Sequence, residues 1–159
     1  MPVAAGTDIA GIQGSTKIEP MKKPKALSNE DYKTLAAFRY ALRQFSNFSE
    51  SAARAAGLTL QQHQALLAIR AADDQIMSVG DLSAFLFIQP HSASELVNRL
   101  EAADLVSRTP HPLDRRAMAL RLTDAASKIL ATLSLAHRDE LLRLRPMLTR
   151  LLEQLDEPA

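Results

Sequence analysis

Apolar side chains at Leu35, Phe38, Leu42, Phe45 and Phe48 recur every third or fourth position, which places them on one face of a helix. Ser28 is placed to cap that helix, Glu30 and Asp31 fall in its favourable first turn, and Gly57 marks its end. Thr59-Leu60-Gln61-Gln62 has the spacing of a capping box and opens a second helix. That helix is predicted to bury Leu66, Leu67 and Ile69 and to close between Ala71 and Asp74. A short helix follows from Val79 to Phe87, capped by Ser78 with Asp81 three residues on, and turns Leu82, Phe85 and Leu86 inward. Gln89-Pro90 starts another, since proline suits the first helical position. Its apolar stripe is Ala93, Leu96, Val97 and Leu100, and it stops at Asp104.

Beyond Asp104 the period changes from 3.6 towards 2. Residues 105–109 read as a strand, 110–114 as irregular, and 117–122 as a returning strand, together a hairpin with a long charged tip. Thr123 caps a further helix with Asp124 in its first turn. Ile129, Leu130, Leu133 and Ala136 continue it, and Pro146 is expected to end or restart it. Leu148, Leu151, Leu152 and Leu155 then form a last helix. The helices at 28–56 and 124–156 carry more apolar surface than a small centre can cover, which predicts a subunit interface.

Residues 1–27 differ in kind. They hold three of the five glycines and Pro2, Pro20 and Pro24, and are expected to form an extended arm without a core of its own. The chain thus divides into that arm, a dimerising helix (28–57), a compact lobe (58–123) and C-terminal dimerising helices (124–159). The expected fold class is mainly α, a winged helix-turn-helix with a small β-hairpin wing and flanking helices forming a dimerisation region.

Composition narrows the chemistry. With 19 basic and 18 acidic residues among 159, the net charge of +1 excludes both a strongly basic tail binder and an acidic disordered chain. The absence of cysteine excludes disulfides, thiolate zinc sites, iron–sulfur clusters and cysteine redox sensing. No apolar run approaches a membrane span, and the first residues lack the order of a secretory signal, so no membrane association and a cytoplasmic location are expected. His63, His91, His111 and His137 lie on separate elements without metal-ligand spacing, and no nucleophile elbow, phosphate loop or dinucleotide fingerprint is present. No catalysis, metal or cofactor is expected.

Helix, turn, helix and charged hairpin is the order of a winged helix-turn-helix, whose second helix enters the major groove of double-stranded DNA. Outward residues of 90–103 fit that task. Asn98 can pair with adenine and Arg99 with guanine or phosphate. Ser92 and Ser94 are short enough to allow approach and can donate to phosphates. Gln89 and His91 stand at the leading end, and Glu95 can accept from cytosine or repel phosphate. In the wing at 107–121, Arg115 and Arg116 sit beside Asp114, and an arginine on a thin hairpin can enter a narrow minor groove. The alternative is a winged-helix module that binds protein instead of DNA, which near-zero net charge and Glu95 favour slightly.

The segment from Gly57 to Thr123 resembles the MarR family of bacterial transcription regulators. The matching text is GLTLQQHQALLAI, DLSAFL, PHSASELVNRLEAADLVSR and HPLDRRAMALRLT, the last being the most specific. The resemblance implies a recognition helix from Pro90 to Leu100 and a wing braced by Asp114. It implies Arg116 in the minor groove, Arg115 near phosphate, and an intertwined homodimer. It further implies a cleft between dimer region and DNA-binding lobe for a small aromatic or phenolic effector that weakens operator binding. Phe38, Phe45 and His63 are candidates to line the cleft. Asp104 stands where the family often has glycine, and Phe87 where a small residue is commoner, so a somewhat different turn that buries Phe87 is expected there.

Overall fold

A computed structural model describes residues 27–111 and 118–156. Along them run α1 (Asn29–Ala55), α2 (Leu60–Ala71), α3 (Val79–Leu86), α4 (Pro90–Ala102), β1 (Val106–Pro110), β2 (Met118–Leu122) and α5 (Asp124–Asp156), with a 3-10 turn at Asp73–Gln75. Residues 1–26 of the expected arm, and the tip residues Asp114, Arg115 and Arg116, lie outside the described residues.

Polar side chains set the helix starts as their spacing predicts. Ser28 and Asp31 form a reciprocal capping box, with Asp31 N donating to Ser28 Oγ at 3.2 Å and Ser28 N to Asp31 Oδ2 at 2.7 Å. Thr59 and Gln62 do the same for α2 at 3.1 and 2.9 Å. Ser78 Oγ caps α3 through Asp81 N at 3.0 Å. Thr123 Oγ1 accepts from Ala126 N at 3.1 Å and donates to Asp104 O at 2.7 Å, so the start of α5 also holds the end of α4. Caps of this kind contribute about 1 kcal/mol each.

Three helices end in the same left-handed turn. Leu58 N donates to Ala53 O, Ile88 N to Ser83 O and Leu105 N to Leu100 O, each spanning five residues. The left-handed residue is Gly57 (φ 76°), Phe87 (φ 53°) and Asp104 (φ 56°) respectively, the arrangement of a Schellman cap. Asp104 thus replaces glycine without altering the turn. Phe87 corrects the expectation of a buried ring, because the helix closes at Leu86 and leaves Phe87 95% exposed.

The core lies in the lobe. Leu66 and Ile69 of α2, Leu82 of α3, Leu96, Val97 and Leu100 of α4, and Leu120 of β2 are almost wholly excluded from water. Burying each leucine or isoleucine is worth roughly 1.5–3 kcal/mol. β1 and β2 pair antiparallel in the register Val106↔Leu122 and Arg108↔Leu120. Met77 adds a bridge to Leu120, with Leu120 N donating to Met77 O at 2.8 Å. This third strand-like contact pins the entrance of α3 to the hairpin.

α1 and α5 lie antiparallel: Thr34 Oγ1 donates to Gln154 Oε1 at 3.4 Å near one end, and Ser49 meets His137 nearer the other. What α1 buries is small, namely Thr34, Ala41, Ser49 and Ala53. The apolar stripe expected to be covered stays partly open, with Leu35 and Leu42 exposed on α1 and Leu135, Leu141, Leu142 and Leu152 on α5.

Four expectations need correction. Leu67 is exposed, because the buried side of α2 is His63, Ala65, Leu66, Ala68 and Ile69. Phe85 points outward at 37% exposure, since eight residues of helix present only Leu82 and Ser83 fully to the core. Pro110 belongs to β1, at the end of the strand where no further ladder bond is required. Pro146 neither ends nor restarts a helix, and α5 passes through it. Pro146 is exposed, so water can satisfy the carbonyl its ring leaves free, and buried Leu144 and Leu151 anchor the helix on both sides.

Candidate nucleic-acid interface

α4 is seated by its apolar stripe, with Ala93, Leu96, Val97 and Leu100 buried as predicted. That seating turns Gln89, His91, Glu95, Asn98 and Arg99 outward, with Ser92 and Ser94 half-buried at the margins. His91, Glu95 and Asn98 follow at i, i+4 and i+7, along the middle of the open face. Gln89 is the N-cap yet makes no capping bond, and Pro90 occupies the first turn. The leading amides of α4 are therefore uncapped by side chains, and a helix N-terminus of this kind attracts anions.

Neighbouring contacts change what two of these side chains can do. Ser94 Oγ donates to Pro90 O at 3.0 Å, so its proton is committed to the helix backbone. Ser92 Oγ lies 3.4 Å from His91 Nε2. Arg108 of β1 reaches back to α4, with Nη1 donating to Glu101 Oε2 and Nη2 to Asn98 Oδ1, both at 2.7 Å. The Asn98 carbonyl is thereby held and its amide NH₂ faces away as a donor. Arg99 has no ion pair among the described residues.

Sequence reasoning missed Arg108, although its signal was present: a cation in the strand that follows the helix, on a residue paired with core Leu120. It ties wing to helix. Arg108→Ala is expected to lower folding stability by about 1 kcal/mol, the scale of a charge-assisted bond between partly exposed groups. Urea denaturation checks this, and an unchanged midpoint would show the clamp to be energetically idle.

A second feature lies between α1, α2 and α5. A cavity of about 650 Å³ is lined by Phe45 and Ser49, by His63, Gln64 and Leu67, and by α5 from Ser134 to Leu152. Of the candidates to line such a cleft, Phe45 and His63 do so and Phe38 does not. His137 Nδ1 lies 2.7 Å from Leu133 O, an acceptor, so Nδ1 carries the proton. In the neutral ring Nε2 then accepts from Ser49 Oγ at 2.8 Å. His63 packs against this ring at a centroid distance of 4.6 Å, and Phe45 and Phe48 meet it edge-on at 5.9 and 5.4 Å. His63 is 4% exposed, and its Nδ1 has no partner among the described residues.

Burial, and secondarily the charge His137 can carry, hold the His63 imidazole below the ordinary value of 6.5. The unfolded chain therefore binds a proton there more readily than the folded one. Stability is expected to be full above pH 6.5 and to fall as pH drops below it. His63→Phe should flatten that limb. Denaturation midpoints across pH 5–8 check it, and parallel curves for the two proteins would remove His63 as the cause. Among the described residues, no group of three or more His, Asp or Glu could hold a metal ion, and no helix is long and apolar enough to cross a membrane.

The profile of the MarR family matches residues 56–117. Among solved structures, the chain is similar to AbsC, described as a MarR family transcriptional regulator from Streptomyces coelicolor (TM-score 0.63, 20% identity, 76% of this chain and 81% of that one). It is similar to RV1404 from Mycobacterium tuberculosis (TM-score 0.66, 22% identity, 83% and 96%). It is also similar to MepR of S. aureus in a DNA complex (TM-score 0.56, 20% identity, 74% and 94%). No curated protein matches the sequence significantly.

Proposed function

We propose that this chain, whose segment 56–117 matches the profile of the MarR family, is a homodimeric, sequence-specific DNA-binding transcription regulator, a repressor acting in the cytoplasm. The observation that carries the reading is the open face of α4. A buried stripe presents Gln89, His91, Glu95, Asn98 and Arg99 beside an amide terminus without a side-chain cap, next to a hairpin. That is the surface a recognition helix offers to base edges and phosphates. Arg115, Arg116 and Asp114 are assigned to the wing at the minor groove on the family pattern. The chain acts by binding, without catalysis.

Homodimerisation is supported by exposed Leu35 and Leu42 on α1 and Leu135, Leu141, Leu142 and Leu152 on α5. Apolar surface left open on paired helices is what a second copy covers. A two-fold dimer reads a pseudo-palindrome with half-sites about one helical turn apart. The cavity beside His63 and Phe45 is of a size suited to a small effector. A small aromatic or phenolic molecule is the proposed occupant, and its binding there releases the operator.

The test is retention of source-genome fragments on the purified full-length protein, followed by sequencing. Enrichment of one pseudo-palindromic sequence, with affinity falling steeply in salt, is expected. Bulk retention without a motif would replace specific regulation with an architectural role. No retention at low salt by a folded dimer would favour the protein-binding module, to which Glu95 at the middle of the face is suited.

A further inference from the structure

Phe87 occupies a backbone position suited to glycine, and its side chain has little to do within the chain. Its φ of 53° and ψ of 41° lie in the left-handed region, and the residue is 95% exposed. The equivalent places at the ends of α1 and α4 are held by Gly57 and Asp104, residues that enter this region more readily. Asp74 and Gln75 also have positive φ, so Phe87 is the one apolar residue in this conformation among the described residues. The turn does not need the ring. It is closed by Ile88 N donating to Ser83 O at 3.1 Å and by Ser83 Oγ donating to Ile88 O at 2.8 Å. Glycine would preserve both bonds with less strain. A strained, solvent-facing aromatic at a turn is the kind of outlier from which a contact outside the fold is inferred.

The position says what that contact is. Gln89, two residues on, stands at the N-cap position of α4 without a capping bond, and His91 begins the open face. Phe87 therefore lies in the turn that leads into the surface assigned above to DNA. We propose that Phe87 is an apolar DNA contact, packing on the non-polar part of an operator nucleotide beside the leading end of α4. Two groups of the duplex offer that chemistry: the C5-methyl of a thymine, the apolar feature of the major groove, and the carbon face of a deoxyribose. The inference rests on the DNA-binding reading of the preceding subsection. A contact of this type adds affinity without adding ionic pairs, so it leaves the salt dependence of binding unaltered.

Phe87→Gly in the full chain tests it through two readouts of opposite sign. Relief of the left-handed strain is expected to raise the thermal midpoint by about 2–4 °C. Affinity for the duplex enriched by the wild-type protein is expected to fall about fivefold to thirtyfold, with the same salt slope. Phe87→Asn, which also tolerates this backbone, should repeat the loss and guards against a turn loosened by glycine. Replacing operator thymines one at a time by deoxyuridine separates the two partners. A position that weakens wild type but not Phe87→Gly assigns the methyl group, and the absence of such a position assigns the sugar. Equal affinity of wild type and both variants would overturn the proposal. If the wild-type protein retains no duplex, the DNA-binding reading fails first, and this inference falls with it.

Discussion

Arg99→Ala is expected to weaken binding to the enriched operator by about thirtyfold to twenty-thousandfold, the largest effect of any single surface change in this chain. The range follows from about 1–3 kcal/mol per arginine contact, doubled because the proposed dimer loses one from each half-site. Arg99 is exposed and has no ion pair among the described residues, so its removal leaves the fold intact. The form of the loss identifies the partner. A phosphate contact removes affinity evenly across sequences and lowers the salt slope by about one per subunit. A guanine contact leaves the slope alone and relaxes preference at one base position. Titrations at several salt concentrations, on the operator and on single-base variants, read both. An unchanged affinity and slope would take Arg99 out of the interface.

Leu100→Ala is expected to destabilise the folded chain by about 2–5 kcal/mol. Leu100 is wholly buried in α4, and its carbonyl accepts the Leu105 amide that closes the helix. Truncation leaves a void between α4 and the rest of the lobe core, where neighbours in fixed elements close in only partly. Total stabilities of about 5–15 kcal/mol make this a large fraction. Urea denaturation followed by circular dichroism should show a lower midpoint with an unchanged slope. A loss below about 1 kcal/mol would mean that the site collapses freely and that α4 is less firmly seated than its burial indicates.

These expectations differ in how far they were visible in the sequence. Helix starts were legible because a cap is a local event: Ser28, Thr59, Ser78 and Thr123 each need only a backbone amide three residues away. The stripe of α4 was legible because one face of a 13-residue helix is buried throughout. Phe85, Leu67 and Pro146 were misread because periodicity reports an apolar face and not what covers it. α2 gives its buried side to His63, Ala65, Leu66, Ala68 and Ile69, and leaves Leu67 open. The bridge between Met77 and Leu120 joins residues distant in sequence and carries no local signature. The imidazole pair of His63 and His137 belongs to the same class.

The continuity of α5 through Pro146 has a mechanical consequence. Its 33 residues make a rod of about 50 Å. Ala126, Leu130 and Leu133 fix one end to the lobe core, while Leu144 and Leu151 are buried further along. Such a rod works as a lever: tilting it by about 5° swings its far end by about 4 Å, close to one base-pair step of about 3.4 Å. His137 and the cavity lie beside its midpoint, between the anchored end and the far one. A displacement at the midpoint is roughly doubled at the far end, so in the proposed dimer the spacing between the two lobes would be geared to the shape of a cavity far smaller than either lobe.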